Sequence, residues 1–253
     1  GLGKDKKSKV KNLSFYYSGS ILDKRLVQKA VERKEAIIHL AGFTSHNEIE
    51  RNKLKTFEIS YLGTKNILEA YRKSKSAKKF IYPSSGKVYG KIKKLPISEN
   101  HPTNPLNTLG VSKLLAEFLI ASYALKDKET LIFRIFNVYG KGQERNFLIP
   151  TILHQIRKKE ILLGDIKAKR DYLYVDDLIK AFVLAIEKKF QPGFSIYNIC
   201  SGVALSAEQI VKELEEIINR KLKIKSERKF LRFNEQDIEY GLYKKAKKEL
   251  GWK

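Results

Sequence analysis

Short apolar runs alternate with helix-like stretches along the first half of this chain, and this alternation constrains the fold more than any other feature. The runs are "LSFYY" (13–17), "EAIIHLAG" (35–42), "KFIYPSS" (79–85) and "TLIFRIF" (130–136). Stretches with helical patterning lie between them, around 23–34, 50–75 and 107–126. Strands that are apolar throughout and alternate with helices are typical of a parallel sheet covered on both faces. The pattern therefore predicts an α/β fold with a doubly wound parallel sheet.

After residue 137 the elements become shorter and their order less regular. The sequence predicts a helix near 147–158, short strands at "ILLG" and "DYLYV", a helix from Asp176, a strand at "SIYNI", a helix from Ser206 and a basic tail. The helix from Ser206 begins with "SAEQ", a capping box in which the first and fourth side chains satisfy backbone N–H groups of the first turn. These elements predict a smaller C-terminal lobe.

The composition is that of a globular protein: 42% of the 253 residues are hydrophobic, with 13 Tyr and 13 Phe. No apolar run approaches the roughly 20 residues of a membrane span, and no signal peptide is visible. The single cysteine, Cys200, has no partner and is interpreted as a buried thiol. The sequence predicts a soluble cytoplasmic protein. It also predicts no metal site, because ligand spacing is absent among the four histidines, His39, His46, His101 and His154.

A formal net charge of +23 requires a nucleic-acid hypothesis. Lysine-rich pieces occur at "KDKKSKVK" (4–11), "RKSKSAKK" (72–79), "RKLKIK" (220–225) and "KKAKK" (244–248). They are scattered, and no recognised nucleic-acid module encloses them. This distribution favours solvated lysine faces over specific nucleic-acid binding, and it leaves acidic small-molecule ligands open.

Residue 1 is a glycine, and the sequence contains no methionine. Because translation starts at methionine, we expect this sequence to be part of a longer or processed chain.

Several segments lie where ligands bind in open parallel sheets, beyond the carboxyl ends of the strands. Four such segments are "HLAG", "PSSGKVYG", "RIFNVYG" and the helix start near "NTLGVSK". They belong to a longer set of runs along the chain: "AIIHLAG", "GTKNILEA" (63–70), "KKFIYPSSGKVYG" (78–90), "SENHPTNPLNTLGVSKLLAE" (98–117), "RIFNVYGKGQ" (134–143), "LLGDIKAKRDYLYVDDL" (162–178), "YNICSG" (197–202) and "KAKKELGW" (245–252). Together they resemble the extended short-chain dehydrogenases/reductases, the nucleotide-sugar epimerases and dehydratases, and among these the UDP-glucose 4-epimerases. The resemblance implies a Rossmann-like dinucleotide-binding domain over 1–140. It also implies a mainly substrate-binding lobe over 141–253, with 165–200 returning to the Rossmann sheet.

Catalysis in this family begins when a hydride leaves a sugar carbon for a bound nicotinamide. A tyrosine removes the hydroxyl proton, a Ser or Thr hydrogen-bonds the same oxygen, and a lysine four residues after the tyrosine lowers its pKa. By resemblance, Ser85 stands at the hydroxyl position, Lys113 at the lysine position and Leu109 at the tyrosine position. Leucine cannot exchange a proton, and neither Tyr82 nor Tyr89 is an evident substitute. The resemblance therefore predicts little or no turnover.

The resemblance implies NAD as cofactor. It assigns to the cofactor site Ser20, Ile21, Leu40, Ala41, Gly42, Lys113 and Phe136. Ser20 replaces a family aspartate that recognises adenine. The family's opening strand, glycine-rich turn and helix receive the pyrophosphate, and they have no counterpart here, since lysines follow "GLG" at 1–3. We therefore expect a sheet that lacks its first strand–helix unit and, because the sequence stops just after "LGW", truncation at both ends.

The substrate side of the resemblance assigns Asn137 to the sugar nucleotide, Leu148 to the nucleobase, and Arg170 and Arg232 to the diphosphate. The planar fork of a guanidinium suits phosphate. The acidic residues beside them are interpreted as structural or helix-capping: Asp171, Asp176 and Asp177.

Three functional interpretations stay open. The first is an impaired NAD-dependent nucleotide-sugar epimerase; the family's dehydratases carry an Asp-Glu pair where this chain has Gly86 and Lys87, which disfavours dehydration. The second is a pseudoenzyme that binds a nucleoside diphosphate sugar without turnover. The third is a basic nucleic-acid-binding protein on the same fold. Relatives pair through helices equivalent to 50–75 and 107–126, so the resemblance also implies a homodimer.

Overall fold

The computed structural model describes residues 1–6, 13–230 and 236–252. Its strands are β1 (Leu2–Gly3), β2 (Tyr17–Ser18), β3 (Ala36–Ile38), β4 (Lys79–Ser85), β5 (Glu129–Ile135), β6 (Asn137–Tyr139), β7 (Glu160–Leu163), β8 (Lys169–Tyr174), β9 (Gly193–Ile199), β10 (Ala204–Ser206), β11 (Lys223–Ser226) and β12 (Ile238–Glu239). Its α-helices are α1 (Lys24–Val31), α2 (His46–Arg51), α3 (Lys53–Glu58), α4 (Thr64–Lys73), α5 (Thr108–Tyr123), α6 (Leu148–Gln155), α7 (Val175–Glu187) and α8 (Ala207–Ile218). Turns of 3₁₀ or π type cover Ile59–Gly63, Gly86–Val88, Arg228–Phe230 and Ala246–Leu250. Among these described helices, none combines the length and the apolar character needed to cross a membrane.

The main sheet is parallel, with the strand order β3-β4-β5-β9. Strands β4 and β5 pair along their whole length, from Lys79 opposite Glu129 to Ser85 opposite Ile135. Strands β1 and β2 form a separate parallel pair. Because the main strands run in one direction, the segments that follow β3, β4 and β5 meet at one edge of the sheet.

Alternate residues of the central strands face two different cores. Phe80 and Tyr82 of β4 pack into a core with α1, α4 and α5. Ile81, between them, packs into a core with α7 and the turn Ala246–Leu250. Both faces of the sheet are therefore buried, which explains why its strands are apolar throughout rather than alternating.

Side-chain caps fix where several helices begin. Asp23 Oδ1 accepts hydrogen bonds from the N–H groups of Arg25 at 3.0 Å and Leu26 at 3.1 Å, at the start of α1. The predicted capping box is confirmed at α8, where Ser206 and Gln209 satisfy each other's backbone N–H groups. These caps accept hydrogen bonds from backbone N–H groups of the first helical turn, which have no partner within the helix.

The second lobe is built from short strands and two helices. Strand β8 pairs with β6, β10 and β12, and β7 pairs with β11. Helices α6 and α8 cover a separate core whose buried residues are Ile152, Ile161, Leu163, Ala207 and Val211. The predicted helices near 147–158 and from Ser206 correspond to α6 and α8.

The strand predicted over 13–17 is wrong in its extent. Only Tyr17–Ser18 is strand, and its partner β1 offers only two residues for pairing. Leu13 and Phe15 are 41% and 65% exposed, so the run is not buried on both faces as its composition suggested.

The helix predicted around 50–75 is divided. Asn52, with φ −128° and ψ 45°, separates α2 from α3. Its side-chain amide donates a hydrogen bond to the carbonyl of Glu48 at 2.9 Å. Asparagine competes with helical hydrogen bonding in this way, which is why it breaks an otherwise helical pattern.

The last part of the region expected to be a basic tail, residues 236–252, is folded. Trp252 is 3% exposed, and its indole N–H donates to the carbonyl of Asp177 at 2.7 Å. The hydroxyl of Tyr197 in β9 donates to Glu249 at 2.9 Å. These contacts attach the end of the chain to the main sheet.

Candidate active site

The carboxyl end of β4 carries two adjacent serines in different surroundings. Ser84 is buried, whereas Ser85 is partly exposed. Ser85 Oγ accepts a hydrogen bond from the N–H of Lys87 at 3.2 Å and so caps the turn Gly86–Val88. Among the described residues no acceptor takes the hydroxyl hydrogen of Ser85, which leaves that hydrogen for a ligand.

Helix α5 begins directly beside this turn. Asn107 Oδ1 accepts a hydrogen bond from the N–H of Gly110 at 2.9 Å and caps the helix. A Cβ at Gly110 would lie 2.4 Å from the carbonyl oxygen of Lys87. Only glycine permits this close approach, so the residue after Leu109 sets how near α5 comes to the end of β4.

The amine of Lys113 lies against the end of β4. Its Nζ donates a hydrogen bond to the carbonyl oxygen of Pro83 at 2.7 Å and lies 4.7 Å from the centroid of the Tyr82 ring. Burial lowers the pKa of this amine to about 8, against the opposing attraction of Glu117. Pro83 precedes Ser85 by two residues, so the structure brings Lys113 and Ser85 to the same strand end.

Leu109 lies in the first turn of α5 and is partly exposed. Its spacing of four residues from Lys113 places both side chains on one face of the helix. The two phenols nearest in sequence are engaged elsewhere: the Tyr82 ring packs under the Lys113 amine, and the Tyr89 hydroxyl donates to Asn198 Oδ1 at 2.6 Å. Burial raises the pKa of both phenols, that of Tyr89 to about 12. Neither phenol is placed to remove a proton near neutral pH.

A buried ionic network lies behind the two serines. The carboxylate of Glu117 accepts hydrogen bonds from Arg134 Nη2 at 2.7 Å and Nε at 3.2 Å, and it also accepts the hydroxyl of Ser84. Burial alone would lower the pKa of the Arg134 guanidinium, but the hydrogen bonds and attraction of Glu117 outweigh it and raise that pKa. Sequence reasoning missed this network, although "SKLLAE" places Glu117 one helical turn after Lys113.

Two of the residues assigned to the cofactor lie in the turn between β2 and α1. Ser20 is partly exposed, and its Oγ accepts a hydrogen bond from the N–H of Leu22 at 3.2 Å. Ile21 is 9% exposed, and its carbonyl accepts from the side-chain amide of Asn66 at 3.0 Å. The Ile21 side chain therefore belongs to the core, while Ser20 stays accessible.

The residues after β3 are open to solvent. Leu40 is 66% exposed, and Ala41 and Gly42 are exposed as well. They lie at the carboxyl end of a strand that pairs with β4. An apolar side chain exposed at this edge can contact a ligand.

Phe136, at the end of β5, is 5% exposed. A Cβ at Gly86 would lie 3.3 Å from its ring, and one at Gly241 would lie 2.7 Å from it. The ring is therefore packed between two glycines, directly beneath the residue that follows Ser85. Phe136 forms the floor of the site.

The predicted substrate-binding residues fall into three places. Asn137 and Arg170 lie on the neighbouring strands β6 and β8, and the Asn137 amide donates to the carbonyl of Asp171 at 3.0 Å. Arg170 is 7% exposed, and its Nη1 donates to the preceding carbonyl at 2.9 Å. Leu148 begins α6 and packs against the second-lobe core. Arg232 lies outside the described residues.

Asp171, interpreted from sequence as structural, ties three chain segments together. Its carboxylate accepts hydrogen bonds from the N–H groups of Ser201 at 2.7 Å, Gly202 at 2.9 Å and Gly241 at 3.2 Å. With its oxygens occupied by backbone donors, Asp171 holds β8 against the segments after β9 and β12.

An ion pair that sequence reasoning also missed borders the site. The amine of Lys87 donates to Glu239 Oε2 at 2.7 Å, and Glu239 is 5% exposed. Both residues line a cavity of about 20 Å³ with Gly86 and Asn107, which is room for about one water molecule. Because 152 positions separate the partners, no local signal pointed to the pair.

Comparison with known proteins gives consistent matches over the chain. The family model of GDP-mannose 4,6 dehydratase matches residues 2–253. A GDP-6-deoxy-D-mannose reductase of Pseudomonas aeruginosa is 34% identical over 232 residues, covering 88% of this chain and 76% of the relative. The structure of a Thermotoga maritima UDP-glucose 4-epimerase with UDP-glucose has a TM-score of 0.85 and 27% identity, covering 100% of this chain and 84% of that one. A Bifidobacterium longum UDP-glucose 4-epimerase in complex with NAD⁺ and UDP has a TM-score of 0.82 and 27% identity, covering 94% of this chain and 77% of that one.

These matches confirm the Rossmann-like α/β fold that the strand pattern and the sequence resemblance predicted. The two solved structures contain, between them, a nucleotide sugar, a nucleoside diphosphate and a nicotinamide dinucleotide. Nucleotide sugars and nicotinamide dinucleotides are therefore the ligand classes to test at the end of β4.

Proposed function

This chain belongs to the nucleotide-sugar epimerase/dehydratase family of extended short-chain dehydrogenases/reductases, and from that premise we propose that it binds a nucleoside diphosphate sugar and NAD as an epimerase-like protein. The observation that supports the proposal is the position of the Lys113 amine, 2.7 Å from the carbonyl of Pro83, two residues before Ser85. Leu109, on the same helix face, leaves this pair without the family's tyrosine. We therefore propose weak turnover rather than full activity.

The residues at the end of β4 fit the nicotinamide end of NAD. Lys113 supplies an amine that would bind ribose hydroxyls, Ser85 a hydroxyl for the sugar oxygen, and Leu40 an exposed apolar surface. When bound, NAD would take a hydride from the sugar and return it. No described strand, turn and helix carry the G-x-G-x-x-G spacing that receives a pyrophosphate. The fit is therefore to the nicotinamide half of the cofactor.

Epimerisation is favoured over dehydration by the residues that follow Ser85. Elimination of water needs a carboxylic acid beside the sugar, and the two positions after Ser85 are Gly86 and Lys87. The Lys87 amine is paired with Glu239 at 2.7 Å. An oxidation followed by reduction of the same carbon needs no such acid, and it needs only groups that hold the sugar oxygen and move one proton.

Arg170 is proposed to bind the diphosphate. Replacement of Arg170 by lysine keeps the charge but loses the bidentate fork. Loss of one hydrogen bond to a charged group, about 1.5 kcal/mol, is expected to weaken UDP binding roughly tenfold. Isothermal titration of UDP into the parent and the Arg170→Lys variant measures this change. Arg157, exposed after α6, provides the matched control Arg157→Lys.

The outcome for the control decides how the Arg170 result is interpreted. UDP should bind the Arg157→Lys variant as tightly as it binds the parent, since Arg157 is exposed outside the site. Equal affinity of parent and Arg170→Lys would remove Arg170 from the phosphate site.

A pseudoenzyme is the second candidate, and Leu109 is the observation that favours it. Both candidates predict that UDP-glucose and NAD raise the melting temperature of the chain, by an amount set by ligand concentration over Kd. They differ in turnover, which is measured as interconversion of UDP-glucose and UDP-galactose. Stabilisation without any product supports the pseudoenzyme, and product above the rate of a blank supports the impaired epimerase. Absence of stabilisation by either ligand contradicts both.

We propose that two copies pair through α3, α5 and the π turn between α3 and α4. These elements pack against one another, and they expose apolar side chains: Leu54, Tyr61, Leu62, Leu115 and Phe118. Phe118 is 63% exposed in the middle of α5. Exposed apolar side chains on elements that pack together are typical of a protein interface.

Replacement of Phe118 by glutamate is expected to convert the dimer to a monomer, because it places a charge in the centre of an apolar interface. Light scattering during size-exclusion chromatography measures the mass. Leu153 on α6 is 52% exposed outside this surface, so Leu153→Glu is the matched control and should remain dimeric. A parent protein that is monomeric at high concentration would contradict the proposed interface.

A further inference from the structure

The amine of Lys113 forms no ion pair with any described residue, although Glu117 attracts it from a longer distance. Its contacts are the neutral carbonyl of Pro83 at 2.7 Å and the face of the Tyr82 ring at 4.7 Å from the centroid. Among the described residues no carboxylate lies within ion-pairing distance of the amine. A partly buried lysine in such surroundings loses hydration of its charge without an adjacent anion to offset that loss.

The other titratable groups around the amine either have hydrogen-bond partners or have pKa values that keep them neutral. Glu117, one turn later on α5, is hydrogen-bonded by Arg134 and Ser84. His39, at the end of β3, lies 3.0 Å from Thr64 through its Nε2, and burial and the nearby Lys113 charge lower its pKa to about 3. It is therefore neutral and a poor base. The pKa values of the phenols of Tyr82 and Tyr89 are raised by burial.

Leu109 changes what the lysine is able to do. A tyrosinate four residues before a lysine attracts the ammonium and keeps it protonated, so the lysine serves the phenol. A leucine at that position supplies no negative charge, and its side chain is less polar than a phenol. Both effects favour the neutral amine, and the pKa of about 8 agrees with them.

We propose that Lys113 itself is the proton acceptor of this site, replacing the tyrosine that Leu109 displaces. This inference rests on the proposed epimerase-like function and adds a catalytic role to a residue expected to hold the cofactor ribose. Ser85 hydrogen-bonds the reacting sugar oxygen, and the neutral Lys113 amine takes the proton from that oxygen.

The proton and electron balance of the step is complete. The sugar O–H bond breaks as a new N–H bond forms on Lys113, which becomes an ammonium. With NAD bound, the cofactor would accept the hydride from the same carbon, so that the alcohol would become a ketone. Return of the hydride to the opposite face of the carbonyl carbon, with return of the proton from the Lys113 ammonium to the oxygen, would give the epimer and restore the neutral amine.

The titration of Lys113 can be measured without turnover. Reductive methylation with ¹³C-formaldehyde labels the lysines, and the Lys113 resonance is the one missing in Lys113→Arg. We expect it to titrate near pH 8, well below the ordinary lysine value of about 10.4. The Lys65 resonance, assigned with Lys65→Arg, is followed as the control. Lys65 lies on α4 with a partly exposed side chain. A Lys113 resonance that titrates with the exposed lysines overturns the proposal.

Turnover then distinguishes a lysine that acts as the general base from a lysine that only binds the cofactor. Arginine keeps the charge and its hydrogen bonds but does not give up its proton. Lys113→Arg should therefore lose turnover by about 10²–10⁴-fold while NAD and UDP-glucose still raise the melting temperature. The parent rate should rise with pH through about 8, because only the neutral amine accepts a proton. Lys65→Arg should match the parent in all measurements.

The outcomes for the two proposals differ. Turnover retained in Lys113→Arg, or a parent rate that does not rise between pH 7 and 9, overturns the base role and leaves the epimerase-like function intact. Failure of both ligands to stabilise the parent overturns the proposed function even if Lys113 titrates near pH 8.

Discussion

Replacing Leu109 by tyrosine should raise the rate of UDP-glucose and UDP-galactose interconversion by up to about 10²–10⁴-fold, the usual contribution of a positioned general base, less the part that the Lys113 amine already supplies. The side chain at 109 is partly exposed in the first turn of α5, so a larger ring has space. It lies one turn before Lys113, at a spacing that places the two on one helix face. The nearby ammonium would favour the phenolate and lower the pKa of the new tyrosine. Coupled conversion of UDP-galactose with added NAD measures the rate.

Leu109→Phe is the matched control, because it adds the ring without the hydroxyl. It should remain at the rate of the parent. If Leu109→Tyr is no faster than Leu109→Phe, then the position does not face the reacting oxygen and the proposed impairment is wrong. A shift of the pH profile to lower pH in Leu109→Tyr would further show that the phenol has replaced Lys113 as the base.

Glu117→Gln is expected to lower the free energy of unfolding by about 3–5 kcal/mol, the usual cost of removing one partner from a buried ion pair. Glu117 and Arg134 are 3% and 5% exposed, and the carboxylate is the only charge that balances the guanidinium among the described residues within ion-pairing distance. Glutamine keeps the shape of the side chain but leaves Arg134 buried and unpaired. Urea denaturation followed by circular dichroism measures the change.

Two comparisons make this prediction specific. Glu69, 3.9 Å from Lys65 on α4, forms an exposed pair, so Glu69→Gln should cost less than about 1 kcal/mol. The double variant Glu117→Leu with Arg134→Met removes both buried charges and should recover part of the loss. A Glu117→Gln variant as stable as Glu69→Gln would contradict the view that this pair supports the strand end.

The pattern of apolar runs was sufficient to locate the main strands, because burial on both faces leaves a local signature in each strand. Strands β4 and β5 lie almost where the runs "KFIYPSS" and "TLIFRIF" place them. The run at 13–17 shows the limit of that signature. Phe15 is apolar and β-prone but 65% exposed, because nothing in a local window reports whether a partner strand is available.

The motif resemblance located Ser85, Leu109 and Lys113, but it did not reveal what surrounds them. The orientation of the Lys113 amine toward Pro83, and the absence of a carboxylate beside it in the described chain, depend on how α5 packs on β4. The Lys87–Glu239 pair joins positions 152 residues apart, and no short motif contains both. Contacts of this kind arise from the fold and cannot be read from spacing.

The sequence alone determined which residues are chemically able to act, since a leucine at 109 removes a proton acceptor whatever the fold around it. It also determined the α/β class, because strand and helix periodicity are local properties of the chain. Tertiary structure alone lowers the pKa of Lys113, since desolvation depends on which neighbours exclude water from the amine. It likewise decided which carboxylates are neutralised by buried cations, because charge interactions depend on distance in space rather than along the chain.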